Sequence, residues 1–391
     1  MTAREENYMF QFNDEHQMVR KMVKDFAAKE MAPIAVEIDE HERFPIEVFN
    51  QMAELNLLGL PFPEEYGGAG MDYVSYTIAQ EEMSRVCAST SLSFSAHVSL
   101  AAYPIEMFGS DAQKQKYLLP LAKGEKLGAY GLTEPGSGSD AGGMKTKAVK
   151  DGDFYILNGS KQFITNAEYA DIFVVAAVTD PSKGTKGISN FIVERGFPGF
   201  EIGRKERKCG MRASSTSMLH FEDCRVPAEN MLGEENKGLR QFLTILDGGR
   251  IGIAAQALGI AKESLKRSVN YAQERRMFGK NLTDFQATQF KLADMAVKIH
   301  ASEMMIYDAA FKKQEGRPYI HEAGMAKLFA SEAATAIANE AIQIHGGYGY
   351  IKDYEVERFW RDAKLLEIGE GTSEIQRLVI YRELIKGIDK L

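Results

Sequence analysis

The pattern that most narrows the fold is a change of period along the chain, from helical to strand-like and back to helical. From about Asn13 to Gly128, apolar residues recur at helical spacing. Val19, Met22, Val23, Phe26 and Ala27 share one face, and Pro33 is expected to close that helix. Pro45 opens a second helix, Gly59 is placed to cap it, and the loop Pro63–Gly70 interrupts the pattern. From about Ala129 to Glu235, runs rich in Val, Ile and Phe take over. Phe154–Leu157 and Lys161–Thr165 read as a hairpin turning at Asn158-Gly159, a pair suited to positive φ at both central residues. Asp171–Val178, Gly187–Val193 and Ser217–Glu222 are further strands. From about Asn236 onward, long helical segments return at Leu239–Glu274, Asp284–Gln314, His321–Ile344 and Ser373–Ile385. Mostly short connections between them predict an antiparallel bundle. Strands and helices in separate blocks exclude a doubly wound sheet, in which they alternate. The expected fold is α+β, mainly α: an N-terminal helical domain (1–128), a middle β-domain (129–235) and a C-terminal four-helix bundle (236–391).

Composition narrows the function. The 391 residues are 45% hydrophobic, enough for a large buried core. The net charge of −8 comes without a basic block that could track a phosphate backbone, so nucleic acid is not an expected partner. Cys87, Cys209 and Cys224 are scattered, which suits a reducing compartment and matches no metal site. No apolar run approaches membrane-spanning length, and the polar, acidic start resembles neither a secretory signal nor an Arg-rich transit peptide. A cytoplasmic protein is expected, or a mitochondrial matrix protein if this is a processed chain.

Five stretches could carry chemistry, and each has a plain structural reading beside the functional one. Tyr130–Asp140 (YGLTEPGSGSD) combines glycines with hydroxyl and acidic side chains. It could let a flat or anionic ligand approach the backbone closely, or it could be a polar turn between domains. It is not a P-loop. Gln343–Tyr350 (QIHGGYGY) ends a helical run and could be a ligand loop or a helix C-cap. In Glu367–Gln376 (EIGEGTSEIQ), Ser373 and Gln376 fit a capping box, so a helix should begin near Ser373. Glu370 then stands on a Gly-Glu-Gly loop ahead of that helix. It could be aimed into a cleft, or it could be an exposed acid favoured by the helix dipole. Glu274–Lys280 (ERRMFGK) could clamp a pyrophosphate through Arg, or be a basic helix end. Asp247-Gly248-Gly249-Arg250 places two glycines inside a strong helix, at a cost of roughly 1 kcal/mol each, for packing, ligand approach or a kink.

Taken together and in order, these stretches resemble the acyl-CoA dehydrogenase family across the whole chain. Gly131-Leu132-Thr133-Glu134, Gly138-Ser139-Asp140 and Gly143 match one family signature. Gln343, Gly346-Gly347, Gly349-Tyr350, Asp353, Arg358 and Asp362 match the other. Glu65–Gly68, Arg276–Lys280 with Gln286, and Glu370–Thr372 are further landmarks. Leu246–Ala254 and Gln256–Ile260 look most like the short-chain (butyryl-CoA) group. The resemblance implies a homotetramer, built as a pair of dimers, with FAD shared across a subunit interface. Tyr130, Leu132, Thr133 and Ser139 would line the flavin, with Ser139 also near the substrate. Phe163 and Thr165 would sit against its ring, and Phe163 stands where relatives often carry Trp. Arg275, Phe278 and Gln286 would contact the FAD of the neighbouring subunit. Gln343, Gly346 and Gly347 would hold its adenosine and pyrophosphate part, and Thr372 and Glu374 would complete the site. Asp247, Arg250 and Gly371 would contact the acyl-CoA.

The same resemblance implies that Glu370 removes the substrate α-proton. The thioester oxygen would accept hydrogen bonds from the flavin ribityl 2′-hydroxyl and from the backbone N–H of Glu370. The β-hydride would pass to flavin N5, giving a trans-2-enoyl-CoA, and electrons would go on to an electron-transferring flavoprotein. Burial beside the acyl chain is expected to raise the pKa of Glu370. Many relatives carry Tyr where this chain has Gly369, so the pocket near the reacting carbons should be wider, and branched, cyclic or medium-chain substrates stay in view. The isovaleryl group carries its base on the helix at a position matching Gly249, which cannot act as one. A flavin oxidase and a non-catalytic flavoprotein scaffold are the remaining alternatives.

Overall fold

The computed structural model describes residues 10–387. Helices, then strands, then helices follow one another along the chain, as the change of period predicts. The α+β, mainly α description holds. By packing, the chain forms two units, each assembled from separate segments. One, helical, takes residues up to Val36, Asp72–Ala88 and Arg250 onward. The other takes Glu37–Met71 and Ser89–Gly249, and contains the sheet.

The sheet has eight strands: β1 (Gly128–Gly131), β2 (Lys147–Asp151), β3 (Phe154–Thr165), β4 (Ile172–Val178), β5 (Ile188–Glu194), β6 (Phe200–Lys205), β7 (Thr216–Pro227) and β8 (Met231–Leu232). Their order is β6-β7-β3-β2-β4-β5-β8, with β1 parallel to β4. The two halves meet through one parallel pair, Lys147 opposite Val178. Phe173, Val175, Phe191, Val193, Leu219 and Phe221 fill the core against this sheet. β4 is buried at Ile172 through Ala177, so its sequence is a continuous apolar run rather than an alternating one.

The hairpin expected at Asn158-Gly159 does not form. β3 runs straight through it, and the pairing shifts between Leu157 and Gly159 with the extra residue on β7, where Asp223 takes a left-handed backbone at φ +48°. Asn158 is held there by reciprocal hydrogen bonds with Asp223. The turn lies earlier, where Gly152-Asp153 joins β2 to β3, with Gly152 at φ +58°.

Pro33 does not end the first helix either. Asp14–Phe26 continues as a π-helical turn at Ala27–Met31, then a 3₁₀ turn containing Pro33, then Ala35–Glu40. The same arrangement recurs twice. π-helical turns at Ala96–Ala102 and Lys114–Leu118 end two residues before Pro104 and Pro120. In each case the residue before the proline, Ala32, Tyr103 or Leu119, donates five residues back, to Ala27, Val98 or Lys114. A proline lacks an N–H and its ring crowds the carbonyl four residues earlier. Widening the turn just upstream relieves that crowding and lets the helix proceed. Gly59 is likewise no cap: Leu55 caps Ile46–Glu54, and Gly59 sits where a Cβ would lie 2.6 Å from the Ala122 carbonyl.

The long C-terminal segments form helices at Gly238–Glu274, Gln286–Gln314, Ile320–His345 and Ser373–Lys386. A further amphipathic helix, Val356–Leu366, lies between the last two and is absent from the expected set. In the helical unit, buried Glu81 accepts from Lys262 at 2.8 Å and from Tyr307 at 2.5 Å, with Arg20 at 3.3 Å. Burial favours the neutral acid, but Lys262 and Arg20 hold the Glu81 carboxyl at about 2.

Candidate active site

In the sheet unit, the first candidate stretch begins as β1 and leaves the sheet after Gly131. Glu134 and Ser137 then exchange backbone hydrogen bonds around a tight turn. Gly136, Gly138 and Ser139 lie on its exposed side, and a Cβ at Gly136 or Gly138 would meet nothing within 4 Å. The stretch is therefore a polar turn, and one whose backbone is open to a ligand.

A buried ion pair fixes this loop from below. Lys161, fully buried on β3, donates to the Leu132 carbonyl at 3.0 Å and to Glu134 Oε1 at 2.8 Å. The Glu134 carboxylate also accepts from the amides of Lys145 and Thr146. Burial pushes Lys161 down to about 8, against the pull of Glu134. Burial also works against the ionised Glu134, yet Lys161 and the donors around it keep that carboxyl below its usual range. The sequence alone hides the role of Lys161, because a lysine in a strand normally marks a solvent face.

The neighbouring aromatic is presented by a second bulge. Between Lys161 and Ile164 the pairing with β7 slips, and Phe163 takes a left-handed backbone at φ +60° with its ring 63% exposed. Gln162 N donates to the Thr133 carbonyl at 2.7 Å, so the bulge and the loop are tied together. Thr165 is half-buried at the end of β3. Tyr130 is buried and stacked on Phe242, and its hydroxyl has no hydrogen-bond partner.

In the helical unit, Glu370 follows the turn that ends Val356–Leu366. Its backbone is left-handed at φ +51°, and Gly371 follows at φ +96°. A glutamate there is strained, and such residues concentrate where function requires them. The segment is clamped by its carbonyls. Lys327 Nζ donates to Gly371 O at 2.7 Å, and Gln376 Nε2 donates to Gly371 O at 2.9 Å and to Glu370 O at 3.4 Å. The Glu370 amide donates to no group among the described residues. Its carboxyl is half-buried as a whole, but Oε2 is buried without a hydrogen-bond partner. Burial pushes Glu370 up to about 7, although Lys327 and Arg250 pull the other way.

The helix after this loop does begin at Ser373, but Thr372 is its N-cap, accepting from Ile375 N at 3.3 Å. The expected Ser373–Gln376 capping box does not form, because Gln376 turns back to the loop carbonyls. Glu374 is exposed in the first turn. Lys327 is a site residue that the sequence does not signal: in the middle of Ile320–His345 it reads as a surface lysine, yet it is fully buried.

The other expected residues divide as follows. Arg275 lies at the end of Gly238–Glu274 with its guanidinium 5.4 Å over the Tyr348 ring. Phe278-Gly279 forms a two-residue turn between the short strands β9 (Arg276–Met277) and β10 (Lys280–Asn281), with φ +51° and +80°. The Phe278 ring at its apex is 92% exposed. Gln286 is exposed at the start of Gln286–Gln314. Gln343 is exposed one turn before Gly346, which ends its helix at φ +61°. A Cβ placed on Gly346 or Gly347 would meet nothing within 4 Å, so this corner has room for a ligand. Asp247 is half-buried, and Arg250 is buried and bears electrostatically on Glu370 and Lys327.

Each unit by itself has room for a ligand. In the sheet unit the unpartnered Tyr130 hydroxyl offers a donor and Gly136 and Gly138 leave backbone uncovered; in the helical unit Gly346-Gly347 leaves an open cradle. Among the described residues no group of acidic, His or Cys side chains could hold a metal ion, and no helix is long and apolar enough to cross a membrane.

Comparison with known proteins identifies the family. Three family models, the N-terminal, middle and C-terminal domains of acyl-CoA dehydrogenase, match residues 13–125, 129–224 and 236–385. A short-chain-specific acyl-CoA dehydrogenase of Clostridium acetobutylicum is 54% identical over 96% of this chain and 100% of its own length. Butyryl-CoA dehydrogenase from Megasphaera elsdenii superposes with a TM-score of 0.94 at 49% identity, covering 96% of this chain and 99% of that one. A chain solved in a study of the electron transferring flavoprotein of Acidaminococcus fermentans and flavin-based electron bifurcation superposes with a TM-score of 0.95 at 50% identity, covering 96% and 99%.

Proposed function

The chain belongs to the acyl-CoA dehydrogenase family, and we propose that it oxidises a short-chain acyl-CoA to the trans-2-enoyl-CoA, with Glu370 as the base that removes the α-proton. The observation that carries this reading is the state of Glu370. A carboxyl pushed up to about 7, with one oxygen buried and unpartnered on a strained turn, is matched to proton transfer at neutral pH. An α-proton beside a thioester is weakly acidic, so the base must be desolvated and the developing negative oxygen must meet a donor. The free amide of Glu370 supplies such a donor beside the base itself. Clamping by Lys327 and Gln376 keeps base and amide in one fixed relation.

We assign FAD as the cofactor. The chemistry it supplies when bound is acceptance of the β-hydride at N5, with onward transfer of the electrons to an electron-transferring flavoprotein. Tyr130, Leu132, Thr133, Ser139, Phe163 and Thr165 would hold the flavin end, Ser139 also facing the substrate. Gln343, Gly346 and Gly347, with Thr372 and Glu374, would hold the rest, and Arg275, Phe278 and Gln286 would reach a neighbouring subunit's cofactor in a homotetramer. A ring as exposed as Phe278, on a tight hairpin, supports that assembly, since solvent gives such a side chain no reward. Asp247, Arg250 and Gly371 would contact the acyl-CoA. A cytoplasmic or matrix location fits these partners.

Butyryl-CoA is the first substrate to test. At Gly369 a Cβ would find only ordinary contacts, the nearest 3.5 Å away at Leu365 O, so the position just before the base has room that branched or cyclic acyl groups could use. A panel of straight, branched and cyclic acyl-CoAs, scored by bleaching of bound flavin, separates these cases. Glu370→Gln should abolish bleaching by the best substrate. Near-wild-type bleaching in that variant would remove the base assignment, and a yellow protein bleached by none of the panel would indicate a non-catalytic flavoprotein.

A further inference from the structure

One buried cation stands beside the base without a role in binding. Lys327 is fully buried in the middle of Ile320–His345, and among the described residues its ammonium makes one hydrogen bond, to Gly371 O at 2.7 Å. A buried ammonium with a single carbonyl partner is costly, and a purely structural site would be served better by an apolar side chain of the same length. The charged groups facing it are few. Burial pushes Lys327 down to about 8; Glu370, Glu367 and Glu332 pull the other way, and Arg250 on the Gly238–Glu274 helix adds to the lowering. Glu332 is engaged by Arg377 at 2.8 Å and Glu367 by Lys364 at 2.7 Å. Glu374, across the loop, is likewise under the influence of Arg377 and Lys364. Of the three acids that attract Lys327, Glu370 is the one without an ion pair among the described residues.

We propose that Lys327 is the positioning residue of the proton base: its ammonium clamps the Gly371 carbonyl to hold Glu370 in the left-handed turn, and so fixes a positive charge at the peptide next to the base. The two parts are linked by geometry. One nitrogen atom fixes the peptide next to the base and supplies the counter-charge. When Glu370 takes the α-proton its charge is lost, and Lys327 remains bound to Gly371, so the loop does not need to reorganise during the step. Gln376, buried and neutral, gives the second clamp on the same carbonyl and leaves the electrostatic part to Lys327. The proposal rests on the reading of Glu370 as base, so its test separates the two.

The test compares Lys327→Met, which removes clamp and charge, with Lys327→Gln, which can still donate to Gly371 O, and Lys327→Arg, which keeps the charge. Each holoenzyme is followed by incorporation of solvent deuterium at the α-carbon of butyryl-CoA and by single-turnover flavin bleaching, across pH 5.5–9.5. Thermal midpoints and flavin content check the fold. Removing a positive charge makes the carboxyl harder to ionise, so the half-maximal pH of both readouts should rise by about one unit in the Met and Gln variants, about a tenfold loss below that pH. The plateau at high pH should fall further in Met than in Gln, and Arg should restore the wild-type midpoint. An unmoved midpoint in both neutral variants, with Glu370→Gln inactive, overturns the role of Lys327 and leaves the base in place. Deuterium incorporation at the wild-type rate in Glu370→Gln overturns the base itself. If Lys327→Met fails to fold, the Gln and Arg variants decide the charge effect alone.

Discussion

Replacing Glu370 by Gln should make the protein more stable, and by an amount that depends on pH. The carboxyl lies at about 7 in the folded chain against an ordinary value of 4.5, because burial favours its neutral form. Between those two values the folded state holds a proton that the unfolded chain has released. Folded protein therefore binds more protons, and its stability falls as pH rises from about 4.5 to about 7, then levels off. At about 1.4 kcal/mol for each factor of ten, the full effect is about 3 kcal/mol. Gln has the same size and no charge, so it removes this term while leaving the backbone strain of the turn in place. Any cost of seating the amide beside the unpartnered site of Oε2 is independent of pH and appears only as an offset. The assay is urea unfolding of wild type and variant at pH 4.5, 6, 7 and 8.5, with the midpoint difference as the measured quantity. That difference should be smallest at pH 4.5, grow through pH 7 and be flat by pH 8.5. A difference that stays constant across the range, or shrinks as pH rises, would refute the claim that burial holds this carboxyl protonated.

Two further outcomes follow from other parts of the structure. Lys161→Met should strand the buried Glu134 carboxylate and free the Leu132 carbonyl, costing about 3–5 kcal/mol in urea unfolding and lowering flavin retention on gel filtration; the double change Lys161→Met with Glu134→Leu should recover much of that stability. Gly369→Tyr should fold normally, since a Cβ there meets only Leu365 at 3.5 Å, with a thermal midpoint within a few degrees of wild type. Its kcat/KM should fall at least tenfold for a branched acyl-CoA relative to butyryl-CoA, and an unchanged ratio would remove Gly369 from the account of specificity.

Four of the C-terminal helices are legible in the sequence because each carries its apolar pattern over more than three turns, whereas the shorter Val356–Leu366 is not. The sheet is less so. Asn158-Gly159 is a strong local turn signal, but β3 is paired with β2 and β7 over this region, and that pairing outweighs the preference of two residues. Gly152-Asp153, a weaker signal, makes the turn because β2 and β3 meet there. At the site, Glu370 and the glycine-rich loops can be found from local composition. Lys161 and Lys327 cannot, since a lysine in a strand or in mid-helix looks like a solvated side chain until the fold buries it. Thr372 and Ser373 are both capable N-caps, and the choice between them falls to Gln376, whose side chain is taken by the loop.

The three widened turns before Pro33, Pro104 and Pro120 have a consequence for how such helices present their surfaces. A turn that closes five residues back instead of four carries one residue more than a regular helix does. Everything after it is out of phase with everything before it by about 100°, one residue's rotation. A single unbroken rod can then face one neighbour with its first half and another with its second, without a loop between them. In Ala88–Phe108 the rod is buried almost all round up to and through the widened turn, and beyond it Ile105 is buried while Met107 is exposed. The prolines act there as phase markers, and a deletion of one residue at such a turn would bring the two halves back into step and rotate the later half by about 100° against its surroundings.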